Sequence, residues 1–393
     1  MILHITILAL GSRGDVQPYA ALGVGLRLAG HQVCFISSED FAPLILSSGL
    51  DFYPLPGSAQ VLMKKAGANT LALFREFSSF ARQGPPEIPA PVKTTDVIIN
   101  QLPLGLAGYD LAEKYQRRML LAAVMPLYPT STFPLMGLPS LHIPGYSKLT
   151  YTLAQQALWQ AMRPLINGWR RKTLGLPPQP FTGALRQFGT PKYPMLNGFS
   201  EYVVPHPPDW GASIHITGWW FHEDEDWQPP EDLRAFIEAG SPPVYIGFGS
   251  MPVRDPRRVT GIIVEALRQS GQRAILHAGW ARIGNENLPG SIYKLEYAPY
   301  GWLFPRMGMI VHHGGSGTTG FALSSGVPSL VVPFIFDQFF WGERTAALGA
   351  GPKPMPFRRL RADRLAEAIA KTIGNPAMHQ NAAQIAGRLR TEN

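Results

Sequence analysis

A glycine-rich turn near the C-terminus carries residue types that bind phosphate. Residues 309–320 read MIVHHGGSGTTG, an apolar strand that runs into glycines and then opens a helix. A helix start offers unpaired N–H groups and a partial positive charge, and Gly314, Gly315 and Gly317 let the backbone approach a ligand closely. His312 or His313 could donate to a phosphate oxygen. No Gly-Lys-Ser/Thr is present, so the turn is not a Walker loop, and it predicts a diphosphate site of another kind.

A carboxylate and an amide follow the next strand. Asp337 and Gln338 lie in a Pro-Phe loop, and this pairing suits sugar hydroxyls. The run GSGTTG also fits the dinucleotide fingerprint, but Asp337 lies past the strand end at which that fingerprint places its acid. Diphosphate and sugar together indicate a nucleotide sugar. The alternative, an ordinary strand–turn–helix with a core histidine, explains fewer of these residues.

Asp15 is a candidate general base. It follows the first apolar strand and a glycine turn. Glycosyl transfer with inversion needs a group that takes the proton of the acceptor hydroxyl, and burial raises the pKa of a carboxyl group toward that task. Aspartate is also a favoured helix N-cap. The spacing of these residues alone favours a role of Asp15 as a helix N-cap.

Repeated strand–helix units predict two domains that would position these residues. Residues 2–10, 31–37, 96–100 and 118–123 are apolar strands, and helices are predicted at 18–29 and 151–172. The alternation restarts after an acidic, proline-bearing segment near 222–232, which we interpret as a linker.

The second half repeats the pattern with strands at 244–247, 273–277, 291–296, 309–311 and 329–332, and helices at 259–270 and 318–324. The chain is therefore expected to be α/β, with two doubly wound Rossmann-like domains at 1–210 and 211–393 that face each other across a cleft. Ligands bind such sheets at the carboxyl ends of the strands.

Composition narrows the class of protein. The chain has 393 residues, 45% hydrophobic and 16% charged, and a net charge of +8. It is globular and too long for one ordinary core. The positive charge suits anionic donors or peripheral contact with an anionic membrane. No dense basic stripe with aromatic residues is present, so nucleic acid is not an expected partner.

Further features predict a cytoplasmic protein without a membrane span. The single cysteine, Cys34, excludes an intramolecular disulfide framework. Residues 1–10 lack the basic start and the small-residue cleavage site of a signal peptide. No run of about 18 apolar residues is present to cross a bilayer.

The first half is rich in large apolar residues around predicted loops. Most of them belong to the core, but some are expected to line a pocket for a lipophilic acceptor, because loops carry binding groups. The candidates are Met125, Tyr128, Phe133 and Met136.

A metal site is not expected. Asp224-Glu225-Asp226 has the Asp-x-Asp form with which some metal-dependent enzymes hold a divalent ion beside a diphosphate, but it lies in the acidic segment beside prolines. A solvated linker explains it better. No cofactor is predicted, and the nucleotide sugar would act as a co-substrate.

The motifs also resemble a known family. The run from His312 to Gln338 looks like the donor signature of GT-B-fold, family 1 glycosyltransferases, most similar to the sterol and antibiotic branch. The same branch matches in family order at residues 11–18 (GSRGDVQP), 248–251 (FGSM) and 298–304 (APYGWLF).

The resemblance implies an inverting transfer of a hexose, foremost glucose, from a UDP-sugar to a lipophilic acceptor such as a sterol or polyketide. It assigns Asp15 as the base, which we favour over the cap. The implied donor-binding residues are Ser250, Tyr297, Ala298, His312, Gly314, Ser316, Gly317, Thr318, Asp337 and Gln338.

One motif departs from the family, and two other functions stay open. Tyr300 and Gly301 replace a polar pair that is usual in relatives. The alternatives are a nucleotide-sugar 2-epimerase and a non-catalytic nucleotide-sugar-binding protein.

Overall fold

The computed structural model describes residues 1–56, 58, 88–102, 107–183, 187–222, 226–285 and 287–392. The chain folds into two compact units. Unit 1 comprises Met1–Glu201 and Pro205–His222, and unit 2 comprises Tyr202–Val204 and Glu223–Asn393. Each unit is an α/β domain built around one parallel sheet.

Unit 1 contains a seven-stranded parallel sheet in the order β3-β2-β1-β4-β5-β6-β7. The central strands are buried on both faces, as the apolar runs predict. The strands are β1 (His4–Leu8), β2 (Gln32–Ser38), β3 (Asp51–Leu55), β4 (Val97–Gln101), β5 (Arg118–Ala123), β6 (Met195–Asn197) and β7 (Ile214–Ile216). Since β7 pairs with β6, this unit extends beyond residue 210.

The described helices of unit 1 are α1 (Arg13–Leu28), α2 (Ala42–Ser47), α3 (Ala90–Thr94), α4 (Ala107–Tyr115) and α5 (Tyr146–Trp169), which continues as a π-helical turn, Arg170–Leu174. The predicted start of α1 at residue 18 is wrong. The helix begins at Arg13 because Ser12 and Asp15 stabilise its first turn, and Pro18 is accommodated inside it. Ser12, and not Asp15, is the N-cap residue.

Unit 2 contains a five-stranded parallel sheet in the order β10-β9-β8-β11-β12. Its strands are β8 (Val244–Gly247), β9 (Ala274–His277), β10 (Ile292–Leu295), β11 (Met309–His312) and β12 (Ser329–Val331). Its described helices are α6 (Glu231–Glu238), α7 (Pro256–Ser270), α8 (Tyr300–Leu303), α9 (Ser316–Ser325), α10 (Asp337–Ala347), α11 (Ala362–Ile373) and α12 (Pro376–Leu389).

Each sheet has one point at which the strand order reverses. In unit 1 the chain moves outward in both directions from β1, which pairs with β2 and β4. In unit 2 the corresponding strand is β8, which pairs with β9 and β11. Helices leave opposite faces at such a point, and the loops that follow the two strands border a crevice. Binding and catalytic residues are therefore expected in the segments after β1 and after β11.

Candidate active site

Asp15 is held by the turn that follows β1. The Ser12 N–H and the Ser12 hydroxyl both donate to Asp15 Oδ2, each at 2.8 Å. Gly11 has φ +128°, and a Cβ atom there would lie 2.6 Å from the same carboxylate oxygen. Glycine is therefore required for the carboxylate to fold back over the turn. Both hydrogen bonds fall on Oδ2, which leaves Oδ1 as the oxygen suited to accept a proton.

Gln101 fixes the same turn from β4, and the sequence analysis did not identify it. Its side-chain oxygen accepts a hydrogen bond from the Leu10 N–H at 2.6 Å, and its amide nitrogen donates to the Asp15 carbonyl at 3.2 Å. Gln101 is buried, although it ends an otherwise apolar strand. A polar pair, Asn100 and Gln101, at the end of an apolar run was the signal that could have found it.

Burial adjusts the basicity of Asp15. Loss of solvent raises the pKa of its carboxyl group, and the hydrogen bonds from Ser12 oppose that rise without cancelling it. Tyr19 lies one helical turn further along α1, is fully buried, and donates to the Ala122 carbonyl at 2.8 Å. Burial and the nearby Asp15 charge raise the Tyr19 pKa well above its ordinary value. The tyrosine hydroxyl therefore keeps its proton, and Asp15 is the group in this turn that can exchange one.

In unit 2, loops after β8 and β11 converge. The imidazole of His313 occupies the space beside Gly249 and Gly315, where added Cβ atoms would lie 2.8 Å and 2.6 Å from the ring. Gly249 has φ +56°, and its carbonyl accepts from the Trp280 N–H at 3.0 Å. Ser250 is half-buried at this junction. Glycines at these positions are thus needed for close packing of the loops.

His312 ends β11 and is fully buried. Its Nδ1 accepts the Gly314 N–H at 3.1 Å, so the neutral ring carries its proton on Nε2. That Nε2 is buried and has no hydrogen-bond partner among the residues that the structure describes. Burial lowers the pKa of His312 to about 3 and that of His313 to about 4. His312 is therefore a neutral ring whose Nε2–H has no acceptor among the described residues.

The start of α9 is open to an anion. Gly315 is its N-cap residue, without a side-chain cap, and the first turn contains no acidic residue. The backbone N–H groups of Gly317 and Thr318 belong to this first turn, in which an α-helix offers no intrahelical acceptor. Ser316 is buried, Thr318 is half-buried, and a Cβ atom at Gly317 would meet nothing within 4 Å. Helix starts without an acidic residue are places at which proteins bind anions, so the predicted donor-binding role of this turn stays a prediction.

The start of α10 approaches the same turn. A Cβ atom at Gly314, which has φ +90°, would lie 2.9 Å from the Gln338 carbonyl. The Gln338 side chain is buried; its oxygen accepts from the Phe334 and Ile335 N–H groups, and its nitrogen contacts Met251 Sδ at 3.2 Å. Gln338 thus holds the loop before α10 in shape. Asp337, half-buried, begins the helix beside it.

The residue before Asp337 adopts a rare backbone conformation. Phe336 has φ 46° and ψ −117°, and it is partly exposed. Non-glycine residues in such regions persist where the surrounding structure fixes them, often at ligand sites. The hydrogen bonds from the two preceding N–H groups to Gln338 supply that constraint.

The candidate base-binding residues lie after β10. Tyr297 is exposed and meets Trp227 edge-on at 6.5 Å, whereas Ala298 is buried in the core of unit 2. Tyr300 turns inward: its ring stacks on Phe304 at 4.4 Å, and its hydroxyl lies 3.2 Å from that of Tyr245. Tyr297 can stack on a base, but Ala298 can contribute only backbone groups.

The four candidate acceptor residues have different surroundings. Met125 follows β5 and is buried, and so is Met136. Tyr128 and Phe133 are half-buried, and Tyr128 packs edge-on to Trp210 at 6.2 Å. Of the four, Tyr128 and Phe133 are therefore the two whose side chains retain exposed surface.

The predicted Asp-x-Asp segment falls partly outside the described residues, which omit Asp224 and Glu225. Across the part of the chain that the structure describes, no three His, Cys, Asp or Glu side chains are grouped as metal ligands.

Comparisons with known proteins identify relatives of this chain. Residues 5–134 match the glycosyltransferase family 28 N-terminal domain, and residues 266–392 match the C-terminal domain of erythromycin biosynthesis protein CIII-like proteins. A sterol 3-beta-glucosyltransferase of Arabidopsis thaliana is 35% identical over 392 residues, which covers 93% of this chain and 60% of that protein. The chain is a glycosyltransferase homologue of GT-B fold. The resemblance expected from the motifs is thereby confirmed.

Two further matches define the extent of this relationship. A fungal sterol 3-beta-glucosyltransferase, of Neosartorya fischeri, is 35% identical over 412 residues, covering 99% of this chain and 28% of that protein. The chain thus spans less than two thirds of these relatives. The glycosyltransferase of kitacinnamycin has a TM-score of 0.72 at 20% identity, covering 100% of this chain and 96% of that one. The predicted GT-B fold, with two Rossmann-like domains, is confirmed.

Proposed function

We propose that this GT-B homologue is an inverting glycosyltransferase that moves glucose from UDP-glucose to a hydroxyl group of a lipophilic acceptor, foremost a sterol. The observation that carries the proposal is the open, acid-free start of α9, where the segments after β8, β11 and β12 converge. The sterol glucosyltransferase relatives support the sugar and the acceptor class.

In the proposed reaction Asp15 takes the proton of the acceptor hydroxyl. The acceptor oxygen attacks the anomeric carbon, the bond from that carbon to the diphosphate breaks, and UDP leaves. One displacement inverts the configuration, so an α-linked donor gives a β-glycoside. The raised pKa of Asp15 supports its role, because a general base works best when its pKa approaches the working pH.

The N–H groups of α9 and the Nε2–H of His312 would stabilise charge on the departing diphosphate. Fixed donors in a partly desolvated site can carry this role without a metal ion. Ser250 would donate to the β-phosphate, Asp337 would accept from sugar hydroxyls, and Tyr297 would stack on the base. Gln338 would shape the sugar site through the loop that it holds.

Tyr128 and Phe133 would line the acceptor site, with Met125 and Met136 supporting them from the core. A cytoplasmic location suits a chain with one cysteine. Its charge of +8 favours peripheral contact with an anionic membrane, where a lipophilic acceptor would dissolve.

One assay tests the proposal against its rivals. The protein is incubated with UDP-glucose, a panel of sterols and other lipophilic alcohols, and a chelator, and products are identified by mass. We expect a glucoside with one acceptor class and little donor turnover without acceptor. Conversion of the donor alone would favour a 2-epimerase, and donor binding without any product would favour a binding protein. Activity that only magnesium or manganese restores would contradict the metal-independent mechanism.

A further inference from the structure

Phe336, the N-cap residue of α10, has a backbone conformation that is unfavourable for a residue with a side chain. Its φ is 46° and its ψ is −117°. Among the described residues, Gln116 and Arg282 are the only other non-glycine residues with positive φ. The ψ of Phe336 lies far from the left-handed helical region, which is the part of positive φ that such residues adopt most often. Glycine would adopt this conformation without strain, so the backbone alone does not explain an aromatic residue here.

Ring packing does not account for Phe336 either. Its neighbour Phe334 stacks on Phe357 with 4.0 Å between the ring centroids, and it meets Phe248 edge-on at 5.5 Å. Phe336 makes no ring contact of this kind with the described residues, and it is 38% exposed. An exposed phenylalanine is ordinary by itself, but one that also strains the backbone indicates a partner outside the chain.

The loop before α10 holds Phe336 in a defined place. The Gln338 side-chain oxygen accepts hydrogen bonds from the Phe334 N–H at 2.8 Å and from the Ile335 N–H at 3.3 Å. The Gln338 N–H in turn donates to the Ile335 carbonyl at 3.2 Å, and the buried Gln338 side chain contacts Met251. Phe336 lies between these bonded residues, so the loop itself fixes its conformation.

This loop lies against the start of α9. A Cβ atom at Gly314 would be 2.9 Å from the Gln338 carbonyl oxygen and 3.3 Å from Gln338 Cα. The first turn of α9 has no acid and no side-chain cap, and under the proposed function it binds the diphosphate of the donor. The hexose is bonded directly to that diphosphate. The start of α10, with Phe336 and Asp337, would therefore border the space that the hexose occupies.

We propose that the Phe336 ring forms one wall of the sugar site and packs on the C–H face of the transferred hexose. This inference rests on the proposed function and adds a residue that selects the sugar. The face of an aromatic ring is electron-rich and attracts C–H groups, which carry a partial positive charge. Glucose presents such groups on both faces, because its hydroxyls at C2, C3 and C4 are equatorial. Asp337 would bind hydroxyls at the edge of the sugar while Phe336 covers its face.

Calorimetry of the full chain with two ligands, UDP-glucose and UDP, tests the contact. Both ligands contain the same nucleotide, so a change in the ratio of their affinities reports on the sugar alone. Phe336→Ala should weaken UDP-glucose binding about five- to ten-fold and leave UDP binding within about two-fold of wild type. Phe336→Tyr keeps the ring and should bind UDP-glucose as the wild type does. Phe336→Leu, which is apolar but not aromatic, should resemble Phe336→Ala.

Thermal unfolding supplies a second measurement that does not depend on a ligand. Alanine keeps the unfavourable backbone conformation at residue 336, whereas glycine relieves it. Phe336→Gly should therefore melt about 2–4 °C above Phe336→Ala, although glycine is the less stabilising of the two at ordinary backbone angles. Both variants lack the ring and should bind UDP-glucose equally weakly. Higher stability of Phe336→Gly with weak sugar binding would show that the side chain serves the ligand and not the fold.

Tyr202 provides a matched control, because it is an aromatic residue of unit 2, is 42% exposed, and lies outside the segments at the starts of α9 and α10. Tyr202→Ala should leave the affinities for UDP-glucose and UDP unchanged. A loss of UDP-glucose binding in this control equal to that in Phe336→Ala would contradict a specific contact with the sugar.

Four further results would overturn the proposal. They are wild-type UDP-glucose affinity in Phe336→Ala, an equal loss of UDP and UDP-glucose binding in that variant, a Phe336→Gly variant that melts below Phe336→Ala, and an effect of Phe336→Ala on the KM of the acceptor alone. The last result would assign the ring to the acceptor. All four leave the proposed function standing, whereas wild-type protein that binds neither ligand would contradict the proposed function and this contact together.

Discussion

The turns after β1 and β11 are built alike and differ in charge. Each follows a buried strand, contains a glycine at positive φ, and opens a helix with a serine close to its start. In α1 the first turn holds Asp15, whose carboxylate binds back onto Ser12. In α9 the first turn has no acid and no side-chain cap.

Under the proposed function, this difference in charge determines which helix start can bind a diphosphate. A carboxylate at the start of α1 satisfies part of the positive helix end and repels a second anion, so that turn can offer a base but not an anion site. The α9 start keeps its positive potential for a ligand. We therefore expect changes in the turn after β1 to alter turnover and changes in the turn after β11 to alter donor affinity.

The largest effect is expected for Asp15→Asn. The amide keeps the shape of the carboxylate and can still accept from Ser12, but it cannot take a proton. Turnover should fall by about 10²–10⁴-fold, whereas UDP-glucose affinity in calorimetry should stay unchanged. Asp96→Asn is a control, because Asp96 also accepts a backbone N–H, that of His4, outside the turn. Near wild-type turnover of Asp15→Asn would show that Asp15 stabilises the start of α1 and is not the base.

Smaller effects are expected for glycine substitutions, on turnover in the turn after β1 and on donor affinity in the turn after β11. Gly11→Ala places a Cβ atom 2.6 Å from the Asp15 carboxylate, and Gly314→Ala places one 2.5 Å from Val331 Cγ1. Strain of about 1–3 kcal/mol should displace each turn, which corresponds to effects of roughly 5- to 150-fold. Gly11→Ala should lower turnover, and Gly314→Ala should weaken donor binding.

Gly25→Ala serves as the control for both variants, because it lies in a helix and its Cβ atom would meet nothing within 4 Å. Equal loss of donor affinity in Gly11→Ala and Gly314→Ala would contradict the division of roles.

The smallest effect concerns pH. Asp15 must be ionised to act, so kcat/KM should fall as the pH drops through a pKa that burial holds above the ordinary value. Donor affinity should be flat from about pH 8 to pH 5, because His312 and His313, with pKa values of about 3 and 4, stay neutral. A histidine titration in donor affinity within this window would show that these rings are not buried as described.

The same two histidines affect stability. Their folded-state pKa values lie below the unfolded value near 6.5, so the unfolded chain binds more protons in acid. The stability that they contribute is full above about pH 6.5 and is lost as the pH falls toward the folded-state values. Denaturant titrations across this range would measure it.

The buried strands were the part of the fold most accessible from sequence. Arg118–Ala123 and Val244–Gly247 were predicted with their observed bounds, because continuous apolar runs between polar turns have one plausible structure. The start of α1 was missed because Pro18 suggested a first helical position, whereas Ser12 and Asp15 stabilise an earlier one. Helix starts depend on such local hydrogen bonds and are harder to predict.

Within the candidate site, the residue types were predictable but their partners were not. The sequence marks Asp15, His312 and the α9 turn, and the structure places each at the carboxyl end of its sheet. The polar pair at the end of β4 marks Gln101 as unusual, but the partners of Gln101 and Gln338 include residues far away in sequence, Leu10 and Met251, and no local pattern predicts those contacts.

Calorimetry of UDP-glucose binding to Gly317→Asp and Gly317→Asn tests whether the acid-free start of α9 binds the diphosphate, as we propose. Space at Gly317 admits either side chain, and the two differ chiefly in charge. An acid in the first turn should leave the fold as stable as before or slightly more so. We predict that Gly317→Asp weakens donor binding by about 10–100-fold through charge repulsion, whereas Gly317→Asn stays within a few-fold of wild type. Equal affinity of the two variants would contradict the account.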